Sequence, residues 1–181
     1  YPAKNLGAYG DGGLVAVNKE SQHKKLRALR NLGSTQKNKH ILKGMNSRLD
    51  TVQAVVLKNK LNSVLNFNDQ RRKIAKFYDK HLNSIKEIKL TRTNQGSSRH
   101  LYVIRIKNRD KLIKYLLKKK IYCQMHYPYS LNSLKVFKNK IKKTKLRNAE
   151  LWARECVSLP IHPNLSKNDA NRVVKEIKNY F

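Results

Sequence analysis

The sequence predicts an α/β chain in two parts: residues 1–66, and a small α+β domain over residues 67–181. Three patterns predict it. Leu49, Val52, Val56, Leu57, Leu61, Val64 and Leu65 keep the three-to-four-residue spacing of a long helix. Residues 101–106 alternate and are β-branched or aromatic, as in a half-buried strand. From about residue 85 the segments run β-β-α-β-α-β-α, a small sheet with helices packed on it.

In chain order, residues 1–13 read as loop, with Pro2 followed by Gly7, Gly10, Gly12 and Gly13. Residues 14–17, Leu-Val-Ala-Val, predict a short buried strand. Asn18 is placed to cap a helix to about Asn31, with Leu26 and Leu29 inward and Gly33 as its stop. Residues 34–43 read as a lysine-rich polar loop. The long helix then begins near Arg48. A further helix over residues 69–82 carries Ile74, Phe77 and Tyr78 on one side; with no proline between, the two helices could equally be one bent helix. Residues 88–90 are a possible strand. Asp110 can cap a helix bearing Leu112, Ile113, Leu116 and Leu117, and Lys118, Lys119 and Lys120 suit the negative end of its dipole. Residues 122–126 predict a strand ended by Pro128, and residues 135–145 a basic loop. A helix over residues 149–157 leads to an extended segment at 158–162. The last helix has Ser166 at its N-cap, Asp169 three residues on, and Ala170, Val173, Val174 and Ile177 inward.

The 181 residues carry 41 Lys+Arg against 11 Asp+Glu, a formal charge of +30. Such an excess points to a polyanion. The competing reading is compositional drift, because Lys, Asn, Ile and Tyr are abundant together and AT-rich codons encode all four. The charge is spread along the sequence without interleaved aromatics, which favours drift over a nucleic-acid footprint. No apolar run approaches the ~18 residues of a membrane span, and no signal peptide is visible. Cys123 and Cys156 have no metal-ligand spacing and read as free thiols in a reducing cytoplasm.

The chemistry concentrates at the start, Tyr1-Pro-Ala-Lys4-Asn-Leu-Gly-Ala-Tyr-Gly-Asp11-Gly-Gly13. A lysine among glycines can lose its proton when desolvated and attack a carbonyl to form a Schiff base. Residue chemistry alone leaves that reading open beside the commoner one, a solvated surface lysine. The glycines fit neither a P-loop nor a Rossmann turn, since no Gly-Lys-Ser/Thr follows and they precede a strand.

This segment resembles the cofactor-lysine segment of the DegT/StrS sugar-nucleotide aminotransferases, which are fold-type-I pyridoxal 5'-phosphate (PLP) enzymes. Four more segments follow that family in order: Gly44-Met-Asn46-Ser-Arg48-Leu-Asp50 with Gln53-Ala54, His100-Leu-Tyr-Val-Ile-Arg105, His126-Tyr127-Pro128, and Ser158-Leu-Pro-Ile-His-Pro163. The resemblance implies the C-terminal portion of a fold-type-I PLP-dependent transferase: the end of the large PLP-binding domain (1–66) plus a small C-terminal α/β domain (67–181). It implies that Lys4 carries PLP as a Schiff base and shuttles the proton. Asn46 would reach the phosphate of a partner's PLP across a homodimer with shared active sites, although Asn46 also reads as a helix N-cap. Tyr1 and Tyr127 would lie near the nucleotide sugar, though each also reads as a half-buried aromatic. Arg48 is expected to pair with Asp50 in preference to anchoring substrate, His126 to pack or hydrogen-bond locally in preference to transferring a proton, and Asp11 to hold its turn. The reaction implied is transfer of an amino group from an amino acid, glutamate by preference, to a nucleotide-linked keto-deoxysugar in the cytoplasm, without metal, membrane or nucleic acid.

Some positions depart from the family. Lys37-Asn38-Lys39-His40 lacks a tyrosine, and Ser130-Leu131-Asn132 lacks a histidine, so the sugar specificity stays open. The aspartate that pairs with the pyridine nitrogen, the upstream phosphate ligands and the stacking aromatic come from the N-terminal half in such enzymes. The sequence is therefore expected to be a fragment, inactive alone. The alternatives are a basic, non-catalytic polyanion- or RNA-binding protein, and a non-aminotransferase member of the same PLP family. The family's dehydratases carry histidine where this chain has Lys4.

Overall fold

A computed structural model describes residues 1–94, 96–137 and 146–181. The chain divides into two compact units, Tyr1–Val64 and Leu65–Phe181.

The first unit contains helix α1 (Glu20–Leu29), a hairpin of β1 (Ser34–Gln36) and β2 (Lys39–His40), and helix α2 (Thr51–Leu61). Helix α1 starts at Lys19 rather than Asn18, and no side chain caps it. It ends as its glycine predicts. Gly33 takes φ +74°, where a Cβ would stand 1.6 Å from the Leu42 carbonyl oxygen, and its N–H closes on Ala28 O at 2.8 Å. The polar loop expected over residues 34–43 is instead an antiparallel hairpin, with Gln36 opposite Lys39. Its two-residue turn sets Asn38 at φ +63°, which asparagine tolerates better than most residues. The strand expected at residues 14–17 does not form: Leu14 is 89% and Val15 70% exposed. A strand needs a neighbour to pair with and a layer to cover it, and nothing in this unit pairs with residues 14–17.

The two expected helices are separate, α2 and α3 (Val64–Leu82), with the break at Asn62 and Ser63, so that Val64 and Leu65 belong to the second. The second unit is built from α3, strands β3 (Lys89–Leu90) and β4 (Tyr102–Arg105), helices α4 (Arg109–Lys118) and α5 (Arg147–Glu155), strand β5 (Cys156–Leu159) and helix α6 (Lys167–Tyr180). The sheet is antiparallel in the order β3-β4-β5, with Tyr102 opposite Leu159 and Arg105 opposite Cys156. Asn108, not Asp110, precedes α4. The strand expected at residues 122–126 reduces to one bridge, Gln124 to Ser158. Beyond the bridge, the His126 carbonyl accepts from Trp152 Nε1 at 3.1 Å and not from β5. Helix α5 ends at Glu155, so residues 156 and 157 join β5 instead of continuing the helix. Of the basic loop expected at residues 135–145, Lys135–Phe137 is a short 3-10 turn and residues 138–145 lie outside those described.

The core of this unit is continuous. Leu82, Ile104, Leu112, Leu116, Val157 and Ile177 are fully buried, and α6 contributes Ala170, Val173 and Val174 as its spacing predicts. Two polar side chains of α3 are tied to backbone. Tyr78 donates its hydroxyl to Pro160 O (2.9 Å), and Arg71 Nη1 donates to His100 O and Ile161 O. Ser166 accepts from Asp169 N at 3.0 Å, the predicted cap. Ser166→Ala should cost about 1 kcal/mol and lower the thermal midpoint by a few degrees, read by circular dichroism.

Candidate active site

The amino-terminal turn is shaped by backbone closure. Lys4 N–H donates to Tyr1 O at 3.2 Å, and a Cβ on Gly7 would lie 2.1 Å from Pro2 O, so only glycine permits the fold-back. Helix α2 fastens the far side of this turn. Lys60 Nζ donates to Gly7 O at 2.8 Å and stands over the Tyr9 ring at 4.9 Å, while Gln53 Oε1 accepts from Tyr9 N at 2.8 Å. The two amines therefore differ. That of Lys60 is engaged; that of Lys4 is exposed, with no ion pair or hydrogen bond among the described residues. An amine that must meet a carbonyl carbon needs this accessibility. Tyr1, in the same turn, is 71% exposed.

Asn46 lies in the first unit, where its backbone bridges Asn31. It does not cap α2, whose N-cap is Asp50. Its Oδ1 accepts from Arg48 Nε at 3.0 Å, and Arg48 makes no ion pair with Asp50 among the described residues. The consequence is directional. With the amide oxygen accepting from Arg48, the Nδ2 group of this exposed side chain is the donor it can offer a phosphate.

A basic cleft of about 710 Å³ opens between α1, the hairpin and Arg48, lined by Lys24, Arg27, Arg30, Lys37 and Arg48, with Glu20 its one carboxylate. Helix α1, the hairpin and Arg48 are separate in sequence, and the fold of this unit gathers them. Gln53 and Lys60 were likewise not singled out as site residues, although Gln53 falls within a recognised segment. In the second unit, Tyr127 is 66% exposed beside a fastened neighbour: His126 Nδ1 lies 2.8 Å from Ser158 Oγ, and Cys156 Sγ lies 3.6 Å from Tyr127 O. His126 thus bonds locally, as expected. Both cysteines are free, and burial pushes the Cys123 thiol up to about 12.

The DegT/DnrJ/EryC1/StrS aminotransferase family matches residues 1–178. The chain belongs to this family. It is 37% identical, over 98% of its length, to the erythromycin biosynthesis sensory transduction protein EryC1 of Saccharopolyspora erythraea, covering 50% of that protein. It is 36% identical over 99% of its length to the dTDP-3-amino-3,4,6-trideoxy-α-D-glucose transaminase of Streptomyces venezuelae, covering 48% of it. The S. venezuelae DesV crystal structure superposes with a TM-score of 0.96 at 36% identity, over 99% of this chain and 49% of that one. The chain therefore spans about half the length of the curated relatives it matches. Its fold is that of the PLP-dependent sugar aminotransferases, and PLP is the cofactor of the family.

The residues present fit part of that cofactor: an accessible primary amine at Lys4 and an exposed amide donor at Asn46. No described helix is long and apolar enough to cross a membrane.

Proposed function

We propose that this chain supplies the C-terminal portion of an aminotransferase that moves an amino group from an amino acid, glutamate by preference, to the keto group of a nucleotide-linked deoxysugar. The observation that carries the proposal is Lys4, an accessible amine on a glycine-closed turn within a family-matched segment. When bound, PLP supplies the electron sink for bond-breaking at the donor's Cα. The protein's own residues supply the rest. Lys4 would hold the cofactor through its amine and, once that amine is free again, would act as the base for the donor's Cα proton. Asn46, its oxygen held by Arg48, donates to the phosphate of a partner protomer's PLP. Tyr1 and Tyr127 contact the nucleotide sugar. The cleft cations from Lys24 to Arg48 favour the substrate's phosphates electrostatically. The S. venezuelae relative is named for a dTDP-linked 3-amino sugar, which makes dTDP-linked keto sugars the first substrates to try. The assembled enzyme is a cytoplasmic homodimer in this reading.

The test is a coupled assay on the full product of the reading frame that encodes the chain. It should release 2-oxoglutarate from glutamate only when a nucleotide-linked keto sugar is supplied. Release from none of a panel of dTDP- and UDP-linked keto sugars, by protein that binds PLP, would count against the substrate class.

A further inference from the structure

We infer that the outer face of α4 and α6 binds the phosphate backbone of a nucleic-acid duplex without sequence preference. The two helices run antiparallel. Lys119 meets the N-terminal part of α6, with its carbonyl accepting from Arg172 Nη2 and its Nζ 3.6 Å from Glu176, whereas Tyr115 meets the C-terminal part, donating to Glu176 Oε2 at 2.9 Å and packing on Tyr180 at 5.3 Å. The seam thus holds the Tyr115/Lys119 stripe of α4 and the Arg172/Glu176/Tyr180 stripe of α6. On one side of it lie the buried Leu112, Leu116, Val173 and Ile177. At about 100° per residue, the opposite side receives Lys111, Lys114 and Lys118 from α4 and Lys175 from α6, beside Lys119 and Arg172 at the seam; all six are exposed. The carboxylate at the seam, Glu176, is consumed by Tyr115 and Lys119.

Scattered in sequence, these cations become two neighbouring rows. Lys111 to Lys118 spans about 10 Å of helix, a length over which a duplex presents about six phosphate charges. The face suits a phosphate backbone better than the alternatives. Tyr115 stands under the Lys119 ammonium and packs on Tyr180, so neither ring is free to stack on an unpaired base. Leu117, the exposed apolar residue of α4, flanks the lysine row about 60° beyond Lys114, and one leucine is a small apolar face to insert into a bilayer.

The experiment measures binding of the chain to a short mixed-sequence DNA duplex as salt is varied. The test variant is K111Q/K114Q/K118Q/R172Q/K175Q. A control, K73Q/K76Q/K80Q/K86Q/K89Q, removes the same charge from exposed positions on α3 and the segment to β3. We expect the test variant to bind at least ~10-fold more weakly, with the log K against log salt slope reduced by about 0.9 per lost contact. The control should retain most of the affinity, as should a variant with arginine at the four lysines. Thermal melts of all variants confirm folding. Equal loss in test and control would overturn the inference, since net charge alone would then account for binding. So would tighter association with phosphatidylserine vesicles than with the duplex. Neither result bears on the aminotransferase proposal, which rests on Lys4.

Discussion

Lys4→Ala in the full gene product is expected to abolish amino transfer, lowering turnover by at least about 10²–10⁴-fold, the range a positioned proton-transfer group contributes. The expectation is large because two duties fall on one amine. In the proposed reading Lys4 would both anchor the cofactor and carry the donor's Cα proton. Lys60 cannot stand in, because its ammonium is spent on the Gly7 carbonyl and the Tyr9 ring. Lys4→Arg keeps the charge and stays as inactive, since a guanidinium does not deprotonate in proteins. The check is the coupled assay together with the melting curve. A loss of activity with an unchanged melt assigns the effect to chemistry, and the exposure of Lys4 makes an unchanged melt the expected result.

Ile104→Ala is expected to destabilise the second unit by about 2–5 kcal/mol, the cost of deleting a fully buried aliphatic group and leaving a cavity. Ile104 sits in the central strand β4, between β3 and β5, with no exposed surface. Trp152, the one tryptophan, lies in this unit and donates to His126 O, so its fluorescence reports the transition in urea. By contrast, Leu14→Ala in this same chain should change stability by no more than about 0.5 kcal/mol, because Leu14 is 89% exposed. A shift of the Trp152 midpoint with Leu14→Ala as large as with Ile104→Ala would contradict the division of the core described here.

The contrast between Ile104 and Leu14 also explains what the sequence could reveal. The inner face of α6 is legible because Ala170, Val173, Val174 and Ile177 repeat at helical spacing and their partners lie within the same unit. Residues 14–17 have an equally apolar pattern, yet a strand is a property of a pair, and nothing in the first unit pairs with them. The hairpin at residues 34–40 escapes pattern-reading for the opposite reason. Its residues are polar, and it is closed by backbone geometry at Gly33 and Asn38. At the site, Lys4 emerges only from the ordered family segments, since composition made it one lysine among many. The Arg48–Asn46 bond and the grip of Lys60 on Gly7 span 2 and 53 residues respectively. Arg48 lies two residues from both Asn46 and Asp50, and the carboxylate is the partner its charge suggests; nothing in the sequence pairs Lys60 with a glycine carbonyl.

The central claim is that Lys4 carries the cofactor. Borohydride reduction of the full gene product in the presence of PLP, followed by proteolysis and mass spectrometry, tests it most directly. The account predicts a reduced pyridoxyl phosphate adduct on the peptide containing Lys4, absent from Lys4→Ala. An adduct found only on other lysines, or unchanged in Lys4→Ala, would contradict it.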